Sequence, residues 1–139
     1  MHYKTVIIGG STSGFYTAEQ LARAGLETAL FERESAIRPD RRTYIVTSGL
    51  DRVIEDLPEE LIRHQIERIS VQAGSAAAEI DLRQPDLILD RRELTQYLGS
   101  RARYAGTAIF TGMELQSFRE DDGQTSLIFK DQEGQERVM

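Results

Sequence analysis

The 139 residues carry 17 Lys+Arg against 23 Asp+Glu, a net charge of −6, and 40% of them are hydrophobic. That length fits one domain of ordinary size, the apolar content excludes intrinsic disorder, and the acidic balance argues against a nucleic-acid partner. The absence of cysteine excludes disulfides, thiolate metal sites and a thiol nucleophile, and the longest apolar stretch falls far short of the ~20 residues of a membrane span.

Met1 leads directly into a strand-like segment without a signal peptide, so a cytoplasmic location is the default expectation. Thr5-Val6-Ile7-Ile8 is a short β-branched run of the kind found in buried parallel strands. Gly9-Gly10 breaks it, and Ser11, Thr12 and Ser13 offer N-cap oxygens to a helix whose apolar face is Phe15, Ala18, Leu21 and Ala22. Gly25 marks the end of that helix, and Thr28-Ala29-Leu30-Phe31 is a second strand closing at Glu32. Strand, helix and strand at this spacing predict a right-handed crossover between adjacent parallel strands.

Residues 33–90 read as a loop, helix and hairpin insert. The polar stretch Arg33 to Thr43, with Arg41 and Arg42, is an expected exposed loop. Leu57-Pro58-Glu59-Glu60 has the chemistry of a helix start, and Ile62, Ile66 and Ile69 give that helix one apolar stripe. Asp51, Glu55, Asp56, Glu59 and Glu60 then form a solvated helical face. A hairpin turns at Ala73-Gly74-Ser75, and Leu87-Ile88-Leu89 leads to a helix capped by Asp90, with Glu93 three residues on as in a capping box. Gly106 stops that helix, Thr107 to Phe110 is a strand, and the alternation from Met113 to Val138, with turns at Asp122-Gly123 and Gly134, predicts a three-stranded antiparallel meander. The chain stops at Met139 in mid-strand and reads as a piece of a longer protein. The fold class is α/β: a Rossmann-like βαβ unit with a parallel sheet, plus the meander.

The chemistry concentrates in the first turn. A strand, then Gly9-Gly10-Ser11-Thr12-Ser13-Gly14, then a helix, with Glu32 ending the next strand, is the dinucleotide-binding arrangement. Gly9 allows the tight turn, Gly14 lets the helix approach the sheet, and the amides of Ser11, Thr12 and Ser13 face an anion at the positive helix end. Glu32 is placed to accept from ribose hydroxyls, and is expected to stand exposed and otherwise unpaired. At the third position Ser11 replaces glycine: its Cβ holds a phosphate away, or its hydroxyl donates to it. Without their setting, these glycines need only make a tight βα connection. His2 and His64, with no carboxylate at ligand spacing, make no metal site, and Ser11 and Ser13 lack the surroundings of a hydrolase nucleophile.

The pattern Gly9-x-Ser11-x-x-Gly14-x-x-x-Ala18-x-x-Leu21-x-x-x-Gly25 with Glu32 resembles the FAD-binding fingerprint of the para-hydroxybenzoate-hydroxylase-like flavoproteins, a group that includes geranylgeranyl reductases. Arg91-Arg92-Glu93-Leu94-Thr95-Gln96-Tyr97-Leu98 and the meander are similar to later parts of the same FAD domain. The resemblance implies pyrophosphate at Ser11 to Ser13, ribose at Glu32, adenine beside Arg33 and the backbone of Leu115, and Arg91 at the phosphate or ribityl region. It also implies an FAD-dependent reductase or monooxygenase, with NAD(P)H a candidate co-substrate and a small-molecule or lipid-like substrate held by regions outside this chain. No catalytic residue is named by it. An NAD-binding dehydrogenase domain and a cofactor-free Rossmann-like fragment with a structural role share the βαβ unit, and both stay open at this point.

Overall fold

In the computed structural model, which describes residues 2–37 and 42–139, the chain forms two compact units, one from Met1–Pro39 with Thr95–Met139 and one from Asp40–Leu94. In the first unit β1 (Thr5–Ile8), α1 (Thr12–Arg23) and β2 (Thr28–Glu32) make the predicted crossover. A parallel sheet of order β1-β2-β6 is completed by β6 (Ala108–Thr111), in register Ala29 to Ala108 and Glu32 to Thr111. Thr28 to Phe31 are all buried, as a central strand covered on both faces must be.

Alternation along β2 sends Ala29 and Phe31 to one face, where they meet the meander. This meander consists of β7 (Glu114–Asp121), β8 (Gln124–Lys130) and β9 (Glu136–Val138). Phe31 stacks between Phe110 and Phe129, at centroid distances of 4.8 and 4.3 Å, so one aromatic column joins the two sheets. Phe15 and Ala18 of α1 are fully buried, and Thr107 donates to the carbonyl of Ala18 at 3.1 Å, tying α1 to the segment that enters β6. The second helix, α2 (Arg91–Tyr104), begins in the second unit and continues into the first. Its Gly99 lies against the ring of Phe15.

A buried ion pair links the two helices. Glu19 of α1 is fully buried, and its Oε1 accepts from Arg101 Nε and Arg23 Nη2, both at 2.8 Å. Glu19 Oε2 is buried with no hydrogen-bond partner among the described residues. Burial opposes the charge of the Arg101 guanidinium, but its hydrogen bonds to Glu19 and Tyr97 outweigh that and raise its pKa.

The second unit departs from expectation. Where Pro58 to Ile69 were expected to be helical, a 3₁₀ turn at Glu59–Leu61 leads into a long strand, β4 (Ile62–Ala73), paired with β5 (Ala76–Asp90). The step of four from Ile62 to Ile66 suits a strand as well as a helix, and the odd step of three from Ile66 to Ile69 crosses the ladder irregularity between Ile66 and Arg68. That irregularity changes the phase of the alternation, so an odd step in a strand imitates helical spacing. Pro85 lies in the β5 stretch facing the second irregularity, where a missing N–H is tolerated. The expected Gly74 hairpin is present at the end of this ribbon.

The expected loop up to Thr43 ends in another strand, β3 (Thr43–Val46), antiparallel to β5. Pro39, Asp40 and Arg41 lie outside the described residues, and Arg42 is exposed. Ser48–Arg52 is a 3₁₀ turn, so Glu55 and Asp56, although exposed, do not belong to a helical face. Asp90 caps α2 as expected, its Oδ1 accepting from the amides of Arg92 and Glu93 at 2.9 and 3.1 Å. The Glu93 side chain turns to Arg63.

Candidate functional site

The turn between β1 and α1 is shaped by three glycines doing different work. Gly9 has φ +104°, a left-handed conformation that side chains resist, and its N–H donates to Phe31 O at 2.8 Å. Gly14 sits where a Cβ would lie 2.1 Å from the Gly9 carbonyl oxygen, so only glycine lets α1 start this close to the strand end. Gly10 is closed in by Glu32 Oε2 and Phe15 Cζ, each 3.1 Å from where a Cβ would stand. Of the three candidate caps, Ser11 takes the role: its Oγ accepts from Gly14 N–H at 3.2 Å and lies 3.0 Å from Ser13 Oγ. Thr12 and Ser13 open the helix, so their amides fall among the N–H groups that a helix start leaves without an intrahelical partner.

Glu32 is not the unpaired acid expected at the strand end. Its Oε2 accepts from Gly10 N–H at 2.5 Å and its Oε1 from Glu34 N–H at 2.8 Å. The carboxylate therefore braces the Gly-rich turn against the β2 exit, while its remaining lone pairs can still accept from a ligand. Gly10→Ala is expected to push this carboxylate aside by a few tenths of an ångström. It should weaken dinucleotide binding several-fold and lower stability by about 1 kcal/mol, read by ligand titration and thermal melting.

Beside the turn lies a cavity of about 310 Å³ lined by Ile8, Gly9, Phe31, Glu32, Arg33, Met113 and the first two residues of β7, Glu114 and Leu115. Four residues singled out from the sequence, Gly9, Glu32, Arg33 and Leu115, are thus brought to one space. That volume is near the lower end of the ~300–1,000 Å³ typical of ligand pockets, and suits a nucleoside rather than a whole dinucleotide. Arg33 is exposed, 3.5 Å from Glu34. Met113 and Glu114 were not anticipated as lining residues. The Met113 N–H donates to Glu32 O at 2.9 Å, which fixes the start of β7 against the end of β2. Arg91 stands in the second unit, its guanidinium 5.7 Å above the Tyr44 ring.

Residues 2–139 match the family model described as FAD binding domain. The chain belongs to this FAD-binding domain family. It is 28% identical over its whole length to a Bacillus subtilis protein named as an uncharacterized aromatic compound monooxygenase, YhjG, covering 30% of that protein. Over 94% of its length it is 29% identical to the geranylgeranyl diphosphate reductase of Rhodobacter capsulatus, covering 33% of it. The fold also matches a geranylgeranyl bacteriochlorophyll reductase-like protein from Thermoplasma acidophilum, with TM-score 0.80 and 15% identity, over 94% of this chain and 35% of that one. The chain thus spans about a third of the length of the curated relatives it matches. The FAD that the family is named for fits what the turn offers: a left-handed Gly9, a helix start that Gly14 lets lie close to the strand end, amides at that start, and an acid beside a nucleoside-sized cavity.

Proposed function

We propose that this chain forms the ADP-binding half of the cofactor site of an FAD-dependent oxidoreductase, a reductase or monooxygenase acting on a small or lipid-like organic substrate. One observation carries the reading: the cavity that joins Gly9, Glu32, Arg33 and Leu115 directly beside the glycine turn. In this reading the amides of Thr12 and Ser13 hold the pyrophosphate, Glu32 accepts from the ribose hydroxyls, and adenine lies beside Arg33 against the backbone of Leu115. The flavin supplies hydride or oxygen chemistry when bound, with NAD(P)H as the proposed reductant, and the chain's own residues bind and orient it. Substrate is met by parts of the polypeptide beyond these residues, in keeping with relatives about three times as long. The antiparallel β7–β9 meander, standing where a nicotinamide-binding domain would continue with βαβ units, favours FAD over the dehydrogenase reading.

The test is Glu32→Gln in the full-length protein. A neutral amide offers one acceptor oxygen where the carboxylate offers two, so it loses charge-assisted bonds each worth about 1.5–3 kcal/mol. FAD binding, followed by quenching of flavin fluorescence, should weaken about ten- to hundredfold, with a modest fall in melting temperature because one backbone amide also loses its acceptor. An unchanged dissociation constant beside a lowered melting temperature would remove Glu32 from the ribose and leave it a brace of the turn.

A further inference from the structure

Ser11 occupies the place where the dinucleotide fingerprint carries a glycine, and its backbone, φ −81° and ψ 171°, is ordinary extended chain. The replacement therefore causes no backbone strain and adds only a side chain at the start of α1. A serine hydroxyl has one proton and two lone pairs. Gly14 N–H fills one lone pair of Ser11, at 3.2 Å, and Ser13 Oγ is 3.0 Å away. Two hydroxyls that share one mutual hydrogen bond keep one O–H proton between them for an outside acceptor, whichever of the two donates. If Ser13 donates, Ser11 accepts twice, from Gly14 and Ser13. Two accepted bonds polarise its own O–H and make it the stronger donor.

We propose that the Ser11 hydroxyl is itself a ligand of the FAD pyrophosphate, with Ser13 and the Gly14 amide donating into it. The assignment rests on the reading that pyrophosphate sits at this turn. The Gly14 amide is committed to Ser11, and the Ser11 O–H hands its polarisation on to the phosphate, so the residue replaces a close backbone approach with a hydroxyl. Glycine at position 11 would free the Gly14 amide yet remove this donor.

Full-length protein carrying Ser11→Gly, Ser11→Ala or Ser11→Thr is titrated with FAD by flavin fluorescence, with ADP as competitor. Ser11→Gly is the informative variant for folding, because glycine in place of a serine cap costs little helix stability. We expect Ser11→Gly and Ser11→Ala each to weaken FAD and ADP in parallel by about tenfold or more, and Ser11→Thr, which keeps the hydroxyl, to stay within about threefold of the parent. Ser11→Gly binding as tightly as the parent, or more tightly, overturns the assignment and leaves Ser11 a helix cap. If the parent binds neither FAD nor ADP, the underlying placement of the cofactor fails as well. A Glu32→Gln loss beside an unaffected Ser11→Gly sinks the hydroxyl role alone.

Discussion

Arg101→Ala should cost the protein about 3 kcal/mol, seen as a fall of roughly 10 °C in melting temperature. Glu19 has no exposed surface, and Arg101, only 16% exposed at its side chain, supplies its most sheltered partner. Arg23 would remain, but its side chain is 55% exposed and weakly able to compensate a buried charge. Removing one partner of a buried pair leaves the other charge without the attraction that offset its desolvation, whereas replacing both by apolar groups of similar volume is often neutral. The double variant Glu19→Met/Arg101→Met should therefore recover most of the loss. A double variant as unstable as Arg101→Ala would show that charge compensation does not set the effect.

Gly14→Ala should be comparably damaging for a different reason. The new methyl would stand 2.1 Å from the Gly9 carbonyl oxygen, a backbone atom that cannot rotate away. Either α1 slides from the sheet or the strand exit deforms, at a cost of about 3 kcal/mol, the upper part of the usual overpacking range. Alanine's better helix propensity, worth ~1 kcal/mol, acts in the opposite direction and is overwhelmed. Gly99→Ala is the matched control. Its methyl would meet the Phe15 ring at an ordinary 3.5 Å, so the propensity gain should dominate and denaturant unfolding should move to higher concentration. Gly14→Ala should also lose FAD binding, because the helix-start amides move with α1.

Much of the first unit was legible because its signals are local. The β1-α1-β2 crossover follows from a β-branched run, a glycine turn and an apolar period within 32 residues, and the meander from alternation and its turn residues. β3 and the first part of β4 were not legible, for two physical reasons. Thr43–Val46 finds its partner in residues 87–90, beyond the reach of any local window, and β4 carries a ladder irregularity that gives it a false helical phase. At the site, the place of Glu32 was legible but its bonds to Gly10 and Glu34 were not, since they depend on how two strand exits come together. The buried pair does leave a trace in the sequence. Glu19 follows Phe15 and Ala18 at the spacing of the apolar stripe, and Arg101 continues Leu94 and Leu98 in the same way. A charge standing in an apolar stripe on each of two helices is a sign that they face one another.

The interleaving of the two units has a kinetic consequence. β2 and β6 are hydrogen-bonded neighbours, yet all of β3, β4, β5 and α2 lie between them in the chain. Closing so long a loop early in folding meets a large entropic barrier for little return. The β4–β5 ribbon, joined through Gly74-Ser75, can zip on its own within microseconds and shorten the effective distance between the ends of that loop. The order of events is thus set by connectivity: ribbon and βα turn first, the third parallel strand last. Slack introduced at the ribbon tip should accordingly slow refolding and leave the unfolding rate nearly unchanged.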